Sequence, residues 1–116
     1  MPLNDVLGAL QASKIVNRIV FTKFDGVSNS YTLKVRAELT NGWFLDFWEH
    51  KTPKLRRYSF HVFHGNQMLV RWDNTPHYPG LKGFPHHKHE GTNVIESEDM
   101  TMDKILKELK KMANIK

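Results

Sequence analysis

The feature that most constrains this chain is a strict alternation of apolar and polar side chains over residues 31–39. Apolar side chains occupy the odd positions from Tyr31 to Leu39, and polar ones such as Lys34 and Arg36 occupy the even positions. Successive side chains of a strand point to opposite faces, so this pattern predicts a strand with one face in the core and the other in water. Half-buried strands of this kind are typical of antiparallel sheets.

Turn residues separate this segment from four others with the composition of strands. Residues 43–50 are apolar on both faces, which predicts a central strand. Asn41-Gly42 matches the two-residue signal of a type I′ hairpin turn, and Gly65-Asn66 is a second tight-turn pair. The predicted strands are residues 15–24, 31–39, 43–50, 57–64 and 67–73. Five strands with short connections predict a mostly antiparallel β-meander over residues 15–73.

The two ends of the chain are predicted to be helical. Asn4 is placed to cap a short N-terminal helix, although Gly8 weakens it. Over residues 101–113, Thr101 is a candidate N-cap, and apolar side chains recur at spacings of three and four: Met102, Ile105, Leu106, Leu109 and Met112. Such an amphipathic helix is expected to pack on the sheet. The predicted fold is therefore α+β, in a single domain spanning residues 1–116.

Composition narrows the class of protein. The chain has 116 residues, a formal net charge of +5 and no cysteine. Disulfides and thiolate metal sites are excluded, and a basic domain favours polyanions or an acidic protein as partners. No apolar stretch is long enough to span a bilayer and the first residues lack a secretory signal, so a cytoplasmic protein without a membrane contact is expected. The sequence contains no Gly-rich phosphate loop, no Gly-x-Ser-x-Gly and no His-Glu-x-x-His.

Four of the seven histidines lie in a loop predicted over residues 74–96. Pro76, Pro79, Gly80 and Pro85 disfavour a helix or a central strand there, and long polar loops of this type often carry function. Histidine titrates near neutral pH and is a common metal ligand, so this loop is the candidate site.

Three kinds of chemistry are open to this loop. His77 and one of the later histidines could act as general base and acid at a phosphodiester, with Arg71, Lys82 or Lys88 neutralising the transition state. Alternatively, His87 and His89, on the same side if the chain is extended, could bind a metal together with His77 or Asp73, although the third ligand is not assignable from the sequence. A third interpretation is a passive cationic contact with phosphates or an acidic partner.

Three motifs in order resemble one known family. They are Tyr58-Ser59-Phe60-His61, Arg71-Trp72-Asp73-Asn74-Thr75-Pro76-His77 and Phe84-Pro85-His86-His87-Lys88-His89. This arrangement is similar to that of the TumE-like toxins of prokaryotic toxin-antitoxin modules. Tyr78 stands where that family usually has a second histidine, and Phe60 stands where tyrosine is common. The resemblance implies a small toxin with a cognate antitoxin protein as partner.

The residues and the resemblance together suggest a toxin that acts on RNA or translation as a metal-independent, ribonuclease-like protein without a cofactor. A non-enzymatic binding module for nucleic acid or an acidic partner, and a His-liganded metal protein, are the alternatives. Pairing of sheet edges into a homo-oligomer is left open. The candidate catalytic residues are His77, His86, His87, His89, Arg71 and Asp73. The candidate substrate-binding residues are Lys88, Lys82, Arg57, Tyr58 and His61.

Overall fold

A computed structural model describes residues 2–113 of the chain. Within that range two helices flank seven strands, and the elements follow one another in chain order. They are α1 (Pro2–Ala12), β1 (Val16–Val27), β2 (Ser30–Leu39), β3 (Phe44–Thr52), β4 (Leu55–His64), β5 (Gln67–Asp73), β6 (His87–Glu90), β7 (Asn93–Glu96) and α2 (Met102–Met112). The α+β class with a helix at each end is as predicted.

The strands form one antiparallel sheet whose spatial order is the order of the sequence. The meander is therefore confirmed, but the prediction of five strands is wrong, because β6 and β7 lie inside the segment predicted as a loop over residues 74–96. β6 pairs with β5, and a turn containing Gly91 at φ +58° leads into β7. The loop is thus confined to the residues between β5 and β6 and those after β7.

The predicted hairpin turns are present, with one difference in type. Between β2 and β3 only Gly42 has a positive φ, of 87°, whereas a type I′ turn needs positive φ at both central residues. The connection is longer instead: the Leu39 N–H donates to the Trp43 carbonyl, and the Trp43 N–H donates to the side-chain oxygen of Asn41. Between β4 and β5, Gly65 has the positive φ of 59°.

One face of the sheet is covered by the helices. The alternating apolar residues of β2 to β5 point to this face and pack with α1 and α2. Four residues of α2 are buried as the spacing predicts, namely Met102, Ile105, Leu106 and Leu109. Met112, the fifth residue of the predicted apolar face, is 41% exposed at the end of the helix. Thr101 occupies the N-cap position in an extended conformation, without a capping hydrogen bond from its side chain. In residues 2–113, neither helix is long and apolar enough to cross a membrane.

A buried polar network on the helix face fixes the segment that precedes α2. The Arg56 guanidinium donates to Glu49 at 2.7 Å, to Asp99 at 2.6 Å and to the Met100 carbonyl at 3.0 Å. Tyr31 donates its hydroxyl to the same Glu49 carboxylate. Because Glu49 is buried on the helix face of β3, these hydrogen bonds offset the cost of removing its polar side chain from water.

Candidate functional site

Neither helix of residues 2–113 covers the opposite face of the sheet, which carries two rows of polar and aromatic residues. Strand register places the members of each row side by side across five neighbouring strands, β2 to β6. The first row is Arg36, Asp46, His61, Arg71 and His89. The second row is Lys34, Trp48, Ser59, Asp73 and His87. We call this surface the open face; both rows end on β6, at the candidate site.

Asp73, the last residue of β5, is the centre of this site. Its Oδ2 accepts from Nε and Nη2 of Arg71 at 2.9 and 2.7 Å, and its Oδ1 accepts from the Thr75 N–H at 3.0 Å. The carboxylate is 2% exposed. Burial by itself would raise its pKa, but the Thr75 and Arg71 hydrogen bonds and the nearby His87 hold the pKa of Asp73 below its usual value. Asp73 is therefore a charged, buried anchor.

Two histidines of β6 lie against this carboxylate. Nε2 of His87 is 2.9 Å from Asp73 Oδ1, and Nδ1 of the same ring is 3.0 Å from the Pro85 carbonyl. Each ring nitrogen therefore has an oxygen within about 3 Å, which fixes the imidazole between Asp73 and the Pro85 carbonyl. His87 is 2% exposed, so it is enclosed rather than available to a substrate.

His89 is the more accessible of the pair. Its Nε2 lies 3.5 Å from Asp73 Oδ2, too far for a strong hydrogen bond, and has no other partner within residues 2–113. Its side chain is 20% exposed. Burial, the main cause, and the neighbouring Arg71 lower the pKa of His89, which favours a neutral imidazole at neutral pH.

Tyr78 lies over both histidines. Its ring centroid is 4.9 Å from that of His87 and 6.1 Å from that of His89, in edge-on geometry. His77 is exposed, and its ring centroid is 6.4 Å from that of Tyr78. Tyr78, which stands where the resembled family usually has a histidine, therefore lies inside the site. No role was predicted for it from the sequence.

The third motif is divided between the two faces of the sheet by strand alternation. His86 stacks on Tyr58 and its Nδ1 is 2.7 Å from the Tyr58 hydroxyl, on the helix face. Lys88 lies over the ring of Trp72 and pairs with Glu90 at 2.6 Å. His86 and Lys88 are thus separated from His87 and His89, with which the sequence analysis grouped them.

The other candidate residues are distributed more widely. Tyr58 is 2% exposed, so its ring is not available for stacking with a base, and burial also raises the pKa of its hydroxyl to about 12. In the strand register, Arg57 of β4 lies opposite His50 of β3, and His61 of β4 lies opposite Arg71 of β5. All four residues are on the open face. Lys82 lines a cavity of about 410 Å³ beside Glu96 and Glu98. The structure therefore brings together Arg71, Asp73, His87, His89 and His61.

Asn74 has a role that the sequence analysis did not identify. Its amide accepts from the Tyr58 N–H at 2.9 Å and donates to the Arg56 carbonyl at 2.7 Å, so it continues the pairing of β4 beyond the end of β5. Its side chain takes the place of the next strand residue while the backbone turns into the loop. The available signal in the sequence was an asparagine directly after residue 73, the predicted end of a strand.

Asp73, His87 and His89 also form a potential metal-ligand set. Each offers one ligand atom, and these atoms lie within 4.8 Å of one another. The Nδ1 contact of His87 with the Pro85 carbonyl is the kind of outer hydrogen bond that orients a ligating histidine. The Arg71 guanidinium, however, already occupies Oδ2 of Asp73 and places a positive charge beside any cation.

Comparison with known proteins gives one match. The family model described as toxin TumE matches residues 6–113, nearly the whole chain. No match was found among curated proteins or among solved structures. The match spans the open face, Asp73 and the strands on both sides of it. The chain therefore belongs to the toxin TumE family, and this membership implies a cognate antitoxin as its partner.

Proposed function

We propose that this toxin acts on RNA and that the cluster around Asp73 is a ribonuclease-like site. The observation that carries the proposal is the convergence of Arg71, Asp73, His87 and His89 at the end of two polar rows on the open face. A cation held by a buried carboxylate, with a partly exposed imidazole beside it, can supply charge neutralisation and a general base for metal-independent cleavage of a phosphodiester.

In this proposal Arg71 binds the phosphate. Its side chain is 43% exposed, and two of its donors are used by Asp73. Guanidinium has five N–H donors, so others remain for phosphoryl oxygens. The interaction would neutralise the charge that builds up on those oxygens during attack. Asp73 acts through Arg71 and the histidines by fixing their positions.

His89 is the proposed general base. Its Nε2 is turned inward to Asp73, which leaves Nδ1 for the proton of a ribose 2′-hydroxyl. The 2′-oxygen then forms a bond to phosphorus and the bond to the 5′-oxygen breaks. His77, which is exposed and next to Tyr78, is the proposed donor of a proton to the departing 5′-oxygen. The products are a 2′,3′-cyclic phosphate and a 5′-hydroxyl, and the two histidines exchange their protonation states.

The test is expression of the wild type beside His89→Ala and Arg71→Ala, with His64→Ala as the matched control. His64 is exposed at the end of β4, before the turn that contains Gly65, and lies outside the cluster. We expect the wild type and His64→Ala to arrest growth and to fragment RNA, and the two site variants to lose at least a hundredfold of the cleavage rate. Equal growth and intact RNA in all four strains would refute the proposal.

The product ends separate this proposal from the two alternatives. Purified protein should release 5′-hydroxyl ends at a rate that EDTA does not change. RNA that is bound but remains whole would instead favour the non-enzymatic binding module.

The metal-protein alternative is favoured by one observation, the spacing of Asp73, His87 and His89. Its test is elemental analysis of protein purified without an affinity tag. One zinc or similar ion per chain in the wild type, and none in Asp73→Asn, would support the metal-protein alternative and refute the metal-independent reaction.

A further inference from the structure

We infer that the open face binds single-stranded RNA as a track, with a base-binding groove between Phe21 and Trp48 that leads to Asp73. This inference rests on the proposed function and specifies its substrate. The groove is a cavity of about 580 Å³ next to the two polar rows. The residues that line it and carry the argument are Phe21, Lys34, Arg36, Trp48, Ser59 and His61.

The open face carries solvent-exposed aromatic side chains at positions where polar residues are more usual. Phe21 is 46% exposed on β1, and Trp48 lies on the uncovered face of β3, stacked at 6.4 Å on His50. A sheet that leaves aromatic rings uncovered offers platforms for unstacked bases, whose flat faces are exposed in a single strand and hidden in a duplex. Both residues line the same groove, so the groove offers two aromatic surfaces to an unstacked base.

The charges of the face point to an anion. Lys23 and Lys34 are directly opposite each other across β1 and β2, and Lys34 makes no ion pair within residues 2–113. Like charges in this position destabilise a sheet, and bound phosphate would remove the repulsion. Arg36 is held by Asp46 at 2.7 and 2.8 Å and covers the ring of Phe63 at 5.4 Å, so this pair adds no net charge but fixes the remaining N–H donors of the guanidinium on the same surface.

The rows have the length of a short strand of nucleotides. Register links Lys34 on β2 to Asp73 on β5 through Trp48 and Ser59. With neighbouring strands about 4.8 Å apart, Trp48 lies roughly 10 Å and Lys34 roughly 14 Å from Asp73, a distance that a short extended stretch of single-stranded RNA can span. A base held at Trp48 would therefore place a phosphate further along the same strand at Arg71.

The test uses a fluorescein-labelled 2′-O-methyl oligonucleotide of twelve mixed bases, which lacks the nucleophile for cleavage, with fluorescence anisotropy as the readout. Phe21→Ala and Lys34→Ala are compared with Leu55→Ala, an apolar residue of similar exposure outside the groove, and Lys54→Ala in the β3–β4 turn. We expect Phe21→Ala to weaken binding about fivefold or more, the effect of losing one stacked base. Lys34→Ala should lower the salt slope by about 0.7.

Lys34→Ala has a second readout that a merely structural residue would not produce. Removing one lysine of the Lys23 and Lys34 pair relieves repulsion, so its thermal midpoint should equal or exceed that of the wild type while its RNA affinity falls. The controls should bind within twofold of the wild type, and a duplex of the same sequence should bind more weakly than the single strand.

The outcomes separate the track from the proposed function. Cleavage of RNA by the wild type together with unchanged affinity in Phe21→Ala and Lys34→Ala would refute the track and leave the cluster around Asp73 as the site. Tighter binding of the duplex would also refute it. A wild-type protein that neither binds nor cleaves RNA, but whose open face binds the antitoxin, would refute both.

Discussion

At the scale of single residues, the negatively charged Asp73 holds the site together through its contacts with neighbouring donors. It accepts from Arg71 and the Thr75 N–H and lies beside His87. In Asp73→Asn the amide keeps the size of the side chain, but its nitrogen cannot accept from Arg71 or His87. We expect the free energy of unfolding to fall by about 2–3 kcal/mol, because donors to a charged group lose their acceptor. Urea titration measures this change.

Asp46→Asn is the control for that prediction. Asp46 also pairs with an arginine on the open face, but both Asp46 and Arg36 are more than a third exposed. Solvent screens such a pair, so its loss should lower the free energy of unfolding by less than about 1 kcal/mol. Equal decreases in the free energy of unfolding of the two variants would show that the burial of Asp73 does not strengthen its interactions.

At the scale of elements, the loop between β5 and β6 is held against the end of β7 at Gly83. Gly83 has φ +87°, and a Cβ built on it would lie 2.3 Å from the Ser97 carbonyl oxygen. In Gly83→Ala the two backbones must separate, so we expect a loss of more than 1 kcal/mol, roughly the cost of backbone strain. Gly80→Ala, with no atom within 4 Å of the added Cβ, should be near neutral in the same urea titration. Similar losses would argue against the contact.

The same elements show what the sequence could predict. The predicted bounds of β5 agree with the observed ones, because the Gly65-Asn66 turn marks its start. The predicted bounds of α2 are within one residue of the observed ones, because its apolar residues recur at spacings of three and four. β6 and β7 have four residues each, and the polar sequence of β6 contains no alternation from which to recognise a strand. Without that strand, the division of His86 from His87 could not be predicted, since it depends on the pairing of Asp73 with His87. The sequence therefore identified the segments that form the cluster but not how these segments divide between the two faces of the sheet, and the functional role of the residues stays a prediction.

At the scale of the whole molecule, partly buried histidines on both faces link stability to pH. Burial is the largest cause that lowers the pKa of His61, His86 and His89 below the ordinary value of about 6.5. The unfolded chain therefore binds protons at these positions at a higher pH than the folded chain does. Stability is full above about pH 6.5 and decreases as the pH falls through the lowered values.

The prediction is a thermal midpoint that decreases from pH 7.5 to pH 5.5. His86→Asn should flatten part of this dependence, because the shorter amide can still bond to the Tyr58 hydroxyl near the position of Nδ1 but takes up no proton. His64→Asn, an exposed histidine at the end of β4, should keep the wild-type slope. Scanning calorimetry at three pH values measures all three proteins. A wild-type midpoint that stays constant or rises on acidification would contradict the linkage, and a slope in His86→Asn as steep as that of the wild type would remove His86 from it.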